Sequence, residues 1–62
     1  MYRVQIFFGS TSVLAHLSAD AFMTARQQIS SGEGSIEFYD EEGRFHVVAA
    51  RNVTWMMGKE IS

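Results

Sequence analysis

The sequence predicts an α+β domain in which a small antiparallel sheet of four to five strands carries one helix packed on one face. Apolar residues alternate along several short segments, which is the period of a half-buried strand. One segment shows helical spacing between capping residues, and small polar residues or glycines separate the segments. The predicted order is β-β-α-β-β(-β), and residues 1–62 are too few for more than a single domain.

The amino-terminal segment predicts a β-hairpin. The apolar residues at every second position are Tyr2, Val4, Ile6 and Phe8. They share one side of an extended strand, and Phe7 lies on the opposite side. A helix that covers the first set therefore leaves Phe7 on the other sheet face. Residues 9–12 (GSTS) predict a turn, and residues 13–17 predict the second strand.

The helix is predicted to follow Ser18, because serine is a favoured N-cap residue. Phe22, Ala25 and Ile29 recur at helical spacing and form one narrow apolar stripe. Gly32 is placed to take the left-handed conformation that ends a helix. A helix of about three turns does not persist alone in water, so we expect it to dock on the sheet.

Residues 35–39 and 44–50 predict a second hairpin around the loop 40–43 (DEEG), where aspartate and glycine favour a type I-based turn. The predicted register pairs Tyr39 with Arg44. It turns the core-type side chains to one face, namely Ile36, Phe38, Phe45, Val47 and Ala49. The other face becomes a polar sheet face that includes Glu37, Arg44 and His46. A shift by one residue mixes the two sets, which argues against it.

Residues 53–57 (VTWMM) predict a fifth strand and raise the question of an interface. Tryptophan and methionine are adaptable contact residues that are enriched in interfaces, although here they could equally close one end of a small core. The interface candidates are Phe7, Tyr39, Trp55, Met56 and Met57.

Composition excludes several classes of site and partner. The chain has no cysteine, which excludes disulfides and thiolate zinc sites, and its two histidines are too few for a histidine-rich metal cage. We therefore expect no cofactor and no metal, and we find no catalytic constellation around His16 or His46. No apolar run approaches the roughly 20 residues that span a bilayer, so we expect a cytoplasmic protein with no membrane contact.

The apolar content predicts self-association. A chain of this size buries only about 60% of the surface that it exposes when unfolded, yet 47% of its residues are apolar. Without disulfides or a metal, oligomerisation is the remaining way to stabilise so small a domain. We expect a non-enzymatic interaction or regulatory module that forms a homo-oligomer, with a dimer favoured and a further protein partner allowed.

The alternative is single-stranded nucleic-acid binding on an aromatic sheet face. Tyr39, Phe7 and Trp55 would stack on bases. The cations available for phosphates are Arg3, Arg44 and Arg51. The net charge of −2 and the acidic loop argue against nucleic acid as the partner.

Overall fold

Strands and helix follow the predicted order, which confirms the α+β class. The computed structural model describes residues 1–61. The elements are β1 (Tyr2–Phe8), β2 (Thr11–Leu17), α1 (Ala19–Ser31), β3 (Ser35–Tyr39), β4 (Phe45–Ala49), a short 3₁₀ helix (Ala50–Asn52) and β5 (Val53–Glu60). The strands form two antiparallel sheets rather than one: a three-stranded sheet in the order β2-β1-β5, and the β3-β4 hairpin.

The β1–β2 hairpin follows the alternation of its sequence. Gly9 takes a φ of 60° in the turn, and β2 begins two residues later at Thr11. Val4 and Ile6 are fully buried and lie opposite Ala15 and Val13. The alternating residues of β1 therefore face the core, as predicted.

Helix α1 is capped as the sequence predicts. The Ser18 hydroxyl accepts a hydrogen bond from the Ala21 amide at 3.1 Å, which satisfies one of the free amides of the first turn. At the other end, Gly32 takes a φ of 75° and its amide donates to the Gln28 carbonyl at 2.8 Å. Both ends of the helix are thus fixed by local sequence.

The helix packs on the inner face of the sheet through Phe22. Its ring stacks on Tyr2 of β1, with ring centroids 4.5 Å apart. It also lies directly over Gly58 of β5, where an added Cβ would come within 2.5 Å of the ring. Gly58 therefore provides the space that lets an aromatic side chain of the helix approach the sheet.

The predicted register of the β3–β4 hairpin is wrong by one residue. Tyr39 pairs with Phe45 and Phe38 pairs with His46. The reason is a shorter turn: the Gly43 amide donates to the Asp40 carbonyl at 3.0 Å, and the Asp40 amide donates to Arg44 at 2.8 Å. Gly43 has a φ of 84°, as required at the end of a three-residue loop with a bulge.

Because of this shift, Glu37, Arg44 and His46 do not share the polar sheet face that was predicted for them. Glu37 lies opposite Val47 on the outer face, His46 lies opposite Phe38 on the inner face, and Arg44 belongs to the turn before β4. Phe45 and Val47, which were predicted to be core residues, are instead 53% and 59% exposed.

A bulge sorts the side chains of β5 between core and surface. Phe8 pairs with Val53 and Phe7 pairs with Trp55, so Thr54 is the extra residue. The Thr54 hydroxyl donates to the Phe7 carbonyl at 3.2 Å. Val53 is buried as a result, and the strand continues beyond the predicted segment to Glu60.

Met56, one of the predicted interface candidates, lies on the inner face of the sheet and not with Trp55 and Met57. Met56 lies opposite the buried Ile6 and packs against the core. Because side chains alternate along a strand, its neighbours Trp55 and Met57 point to the outer face. The segment 53–57 is therefore both core and surface, divided by the alternation and the bulge.

Candidate interaction surface

The outward side chains of β2, β1 and β5 form three cross-strand rows, which together we call the open face. The strand registers define an aromatic row (Ser12, Phe7, Trp55), a middle row (Leu14, Gln5, Met57) and a basic row (His16, Arg3, Lys59). Helix α1 packs against the opposite, inner face, where Val4 and Ile6 are fully buried.

Apolar side chains dominate two of the three rows of the open face. The rings of Phe7 and Trp55 stack with centroids 5.2 Å apart and an interplanar angle of 22°. Trp55 is 58% exposed and Met57 is 41% exposed. Apolar side chains grouped in this way are typical of a surface that contacts a partner.

The basic row is held in place by a carboxylate from the neighbouring hairpin. Arg3 Nε donates to Glu41 Oε2 at 2.9 Å, and His16 Nε2 lies 3.0 Å from the same oxygen. The hydrogen bond from Arg3 lowers the pKa of Glu41 below its usual range. Lys59 lies beside Arg3 on β5 and extends the cationic row to the sheet edge.

A shallow groove of about 300 Å³ separates the middle row from the basic row. The aliphatic side chains of Leu14 and Met57 line it together with Gln5, and Arg3 and Lys59 line its other side. The groove therefore presents apolar carbon on one side and two cations on the other.

A second cluster is centred on Asp40, in the acidic turn. Its side chain is only 3% exposed. Oδ1 accepts the amides of Glu42 and Arg44, both at 2.9 Å. Oδ2 accepts Arg44 Nε at 2.8 Å and lies 2.7 Å from Nε2 of His46.

The Asp40 carboxylate is ionised and organises the turn. The hydrogen bond from His46 is the main cause that lowers the pKa of Asp40 far below its usual range, and the donors of Arg44 and Glu42 add to it. An ionised carboxylate only accepts hydrogen bonds, so Nε2 of His46 must carry the proton. Four donors surround this carboxylate, so its burial is explained by the hydrogen bonds with which it stabilises the turn.

The turn also joins the two sheets. Asp40 forms an isolated bridge with Ala15 of β2, and the Glu41 amide donates to the Leu14 carbonyl at 3.0 Å. The sequence pattern did not predict the Asp40–His46 contact, because this contact depends on the register between β3 and β4. The only signal was an aspartate six residues before a histidine across a turn.

Three exposed side chains on the outer side of β3 and β4 form a hairpin patch, defined as Tyr39, Phe45 and Val47. Tyr39, the most exposed at 65%, meets Phe45 in a tilted contact with ring centroids 5.0 Å apart. Tyr39 therefore pairs with an aromatic ring and not with Arg44. Of the predicted interface residues, Phe7, Trp55 and Met57 share the open face, and Tyr39 lies in the hairpin patch.

Comparison of the chain with protein-family models, with curated proteins and with solved structures gave no match. Within residues 1–61, no group of three or more histidine or acidic side chains is arranged to hold a metal ion. In the same residues, no helix has the length and apolar character needed to cross a bilayer.

Proposed function

We propose that this protein is a non-enzymatic interaction module that forms a homodimer through its open face. The observation that carries the proposal is the exposed ring of Trp55, stacked on the half-buried Phe7 and beside the exposed Met57, on a sheet face that α1 does not cover. A sheet with one apolar face under a helix and a second apolar face in solvent gains stability when another layer covers the second face.

The open face is contiguous and can form the centre of an interface with a second copy of the chain. A stable dimer buries about 800 Å² on each partner, which is about a fifth of the 4150 Å² accessible surface of this chain. The nine outward side chains on three strands would form the centre of such an interface. Because the chain has no cysteine to form a disulfide, association is also the simplest way to stabilise so small a core.

Chemistry at the Asp40 cluster is less well supported. Its carboxylate is occupied by donors from Glu42, Arg44 and His46, and these bonds hold the turn together. A general base must be within hydrogen-bond reach of a substrate proton, and this carboxylate already has its acceptor sites filled. We therefore assign the function to the open face.

Sedimentation equilibrium over a range of protein concentrations tests the proposal. We expect the wild type to be dimeric at micromolar concentrations and Trp55→Ala to shift strongly toward monomer while keeping its circular dichroism spectrum. Tyr39→Ser in the hairpin patch and Met23→Ser on the exposed side of α1 are matched controls, because both remove an exposed apolar side chain away from the open face.

A wild type that stays monomeric at high micromolar concentration would end the proposal. Dissociation by Tyr39→Ser but not by Trp55→Ala would place the interface on the hairpin patch instead.

Single-stranded nucleic-acid binding is the second candidate, favoured by one observation: the exposed Trp55 and its stacking partner Phe7 share a face with Arg3 and Lys59. It ranks lower because Glu41 neutralises Arg3 at 2.9 Å. Of the other predicted phosphate contacts, Arg44 is paired with Asp40 at 2.8 Å. Quenching of Trp55 fluorescence by an oligonucleotide, reversed by salt, would favour this candidate over the dimer.

A further inference from the structure

We infer the arrangement of the second copy: the aromatic row of each copy lies over the basic row of the other, with Trp55 over the partner's Lys59 and Phe7 over the partner's Arg3. This inference rests on the proposed dimer and adds its geometry. The carrying observation is the order of the three rows, in which aromatic rings and cations are equally distant from the middle row, on opposite sides of it.

Two in-plane two-fold axes through the centre of the open face let this sheet pack face to face on itself with its strands aligned. One axis runs across the strands, along the middle row. It reverses the order of the rows and places each strand over the same strand of the partner. The aromatic row then meets the partner's basic row. An axis that runs along the central strand β1 keeps the order of the rows and exchanges β2 with β5.

Electrostatics separates the two axes. The axis along β1 places Arg3 against the partner's Arg3 across the interface, and like charges in contact are unfavourable. The axis across the strands places each cation over a ring, where the ring quadrupole attracts it, and tryptophan is the best such ring. The twist that rotates packed sheets by about 30° changes these contacts least near the centre.

The salt bridge to Glu41 is compatible with this arrangement. Arg3 uses Nε and an edge nitrogen for the carboxylate, at 2.9 and 3.5 Å. Hydrogen bonding at the edge of a guanidinium leaves its flat face free to stack on an aromatic ring. Glu41 therefore holds Arg3 in a position to receive the partner's Phe7.

The groove supplies a matching shape. It lies beside the basic row, over which the reversed order of rows places the partner's aromatic side chains. Leu14 and Met57 offer apolar contacts to a ring seated there, and Lys59 lies at its rim. The exposed ring of Trp55 is the protruding side chain that this groove can receive.

A mixing experiment with two single variants tests the contact in trans. Trp55→Ala removes the ring, and Lys59→Met removes the cation while keeping the aliphatic stem. Neither homodimer retains an intact Trp55–Lys59 contact, whereas a heterodimer of the two variants retains one. Native mass spectrometry of the mixture should show more heterodimer than the statistical half, and each single variant should dissociate about 5- to 30-fold more readily than the wild type.

The same pair cannot be coupled within one copy. Trp55 and Lys59 are four residues apart on β5, a separation of about 13 Å along a strand, at which substitutions are normally additive. The control replaces Lys59→Met by Arg26→Met, which removes a cation from the exposed side of α1. A mixture of Trp55→Ala with Arg26→Met should give the statistical proportion.

The outcomes distinguish this arrangement from the dimer itself. A dimeric wild type whose Trp55→Ala and Lys59→Met variants mix statistically, or give no heterodimer, overturns the arrangement and leaves the open-face dimer in place. A wild type that is monomeric overturns both. Pairing through the β5 edge would also mix statistically, and therefore counts against the arrangement.

Discussion

The two faces of the β2-β1-β5 sheet both carry large apolar side chains and differ in what covers them. On the inner face, which helix α1 packs against, Val4 and Ile6 are fully buried in the core. On the open face, Trp55 and Met57 of the adjoining strand β5 remain exposed. Stability should therefore depend on the inner face, and association on the open face.

Within the β2-β1-β5 sheet, the largest effect is expected at Gly58, on the inner face. A methyl group there would meet the ring of Phe22 at 2.5 Å, so the ring or the helix that carries it must shift away from the sheet. We expect Gly58→Ala to reduce the free energy of unfolding by about 1–3 kcal/mol, as overpacking of a core does. Urea denaturation followed by circular dichroism measures the change.

The neighbouring residue on the opposite face is the matched control. Met57→Thr changes an exposed side chain and should alter the stability of the monomer by no more than about 0.5 kcal/mol. Phe22→Leu should reduce the cost of Gly58→Ala, because the two sites are in contact and their effects are coupled. Additive effects of Gly58→Ala and Phe22→Leu would mean that the ring is not the obstacle.

An intermediate effect is expected at Asp40, which decides which side chains of β4 face outward. Asp40→Asn replaces an acceptor oxygen by an amide that cannot accept the donors of Arg44 and His46. At neutral pH the melting temperature should fall by several degrees. The size of this fall should depend on pH, because Asp40 titrates differently in the folded and unfolded chains.

The sign of the pH dependence follows from the lowered pKa of Asp40. The unfolded carboxyl takes up a proton near its ordinary pKa of 3.8, whereas the folded one stays ionised to lower pH. The stabilisation is therefore complete above 3.8 and is lost as the pH falls below it, where the wild type and Asp40→Asn should converge. Melting curves that stay separated by the same interval at all pH values would refute this role, and Glu33→Gln in a loop is the control.

The sequence was sufficient where local rules and tertiary packing agree. The caps at Ser18 and Gly32 and the alternation of β1 are properties of short segments, and the structure confirms them. The outward position of Phe7 followed from the same alternation. These features required no knowledge of what the segments pack against.

The sequence was not sufficient where a polar contact outweighed the hydrophobic pattern. The pattern favours a register with Phe45 and Val47 in the core, whereas the turn around Asp40 leaves both in solvent. The hydrogen bonds to that carboxylate join residues from both sides of the loop, so the local sequence pattern does not predict them. A strict alternation of side chains also does not predict the bulge at Thr54, which turns Met56 inward, because the bulge depends on how β5 pairs with β1.

The smallest effect is expected at Phe45, and it tests the register directly. Phe45 is 53% exposed and its neighbour across the hairpin, Phe38, is 3% exposed. We expect Phe45→Thr to change the free energy of unfolding by no more than about 0.5 kcal/mol, since threonine keeps the preference for a strand. Phe38→Thr should cost about 3 kcal/mol or more, as the loss of a buried ring does.

The contrast between these two variants is more informative than either alone. In the register favoured by the hydrophobic pattern, Phe45 and Phe38 would face each other in the core and both substitutions would be costly. Similar losses of stability in the two variants, measured by urea denaturation at a concentration where the protein is monomeric, would therefore restore that register. A large loss in Phe38→Thr alone would establish the register in which Phe45 faces solvent and His46 faces inward beside Asp40.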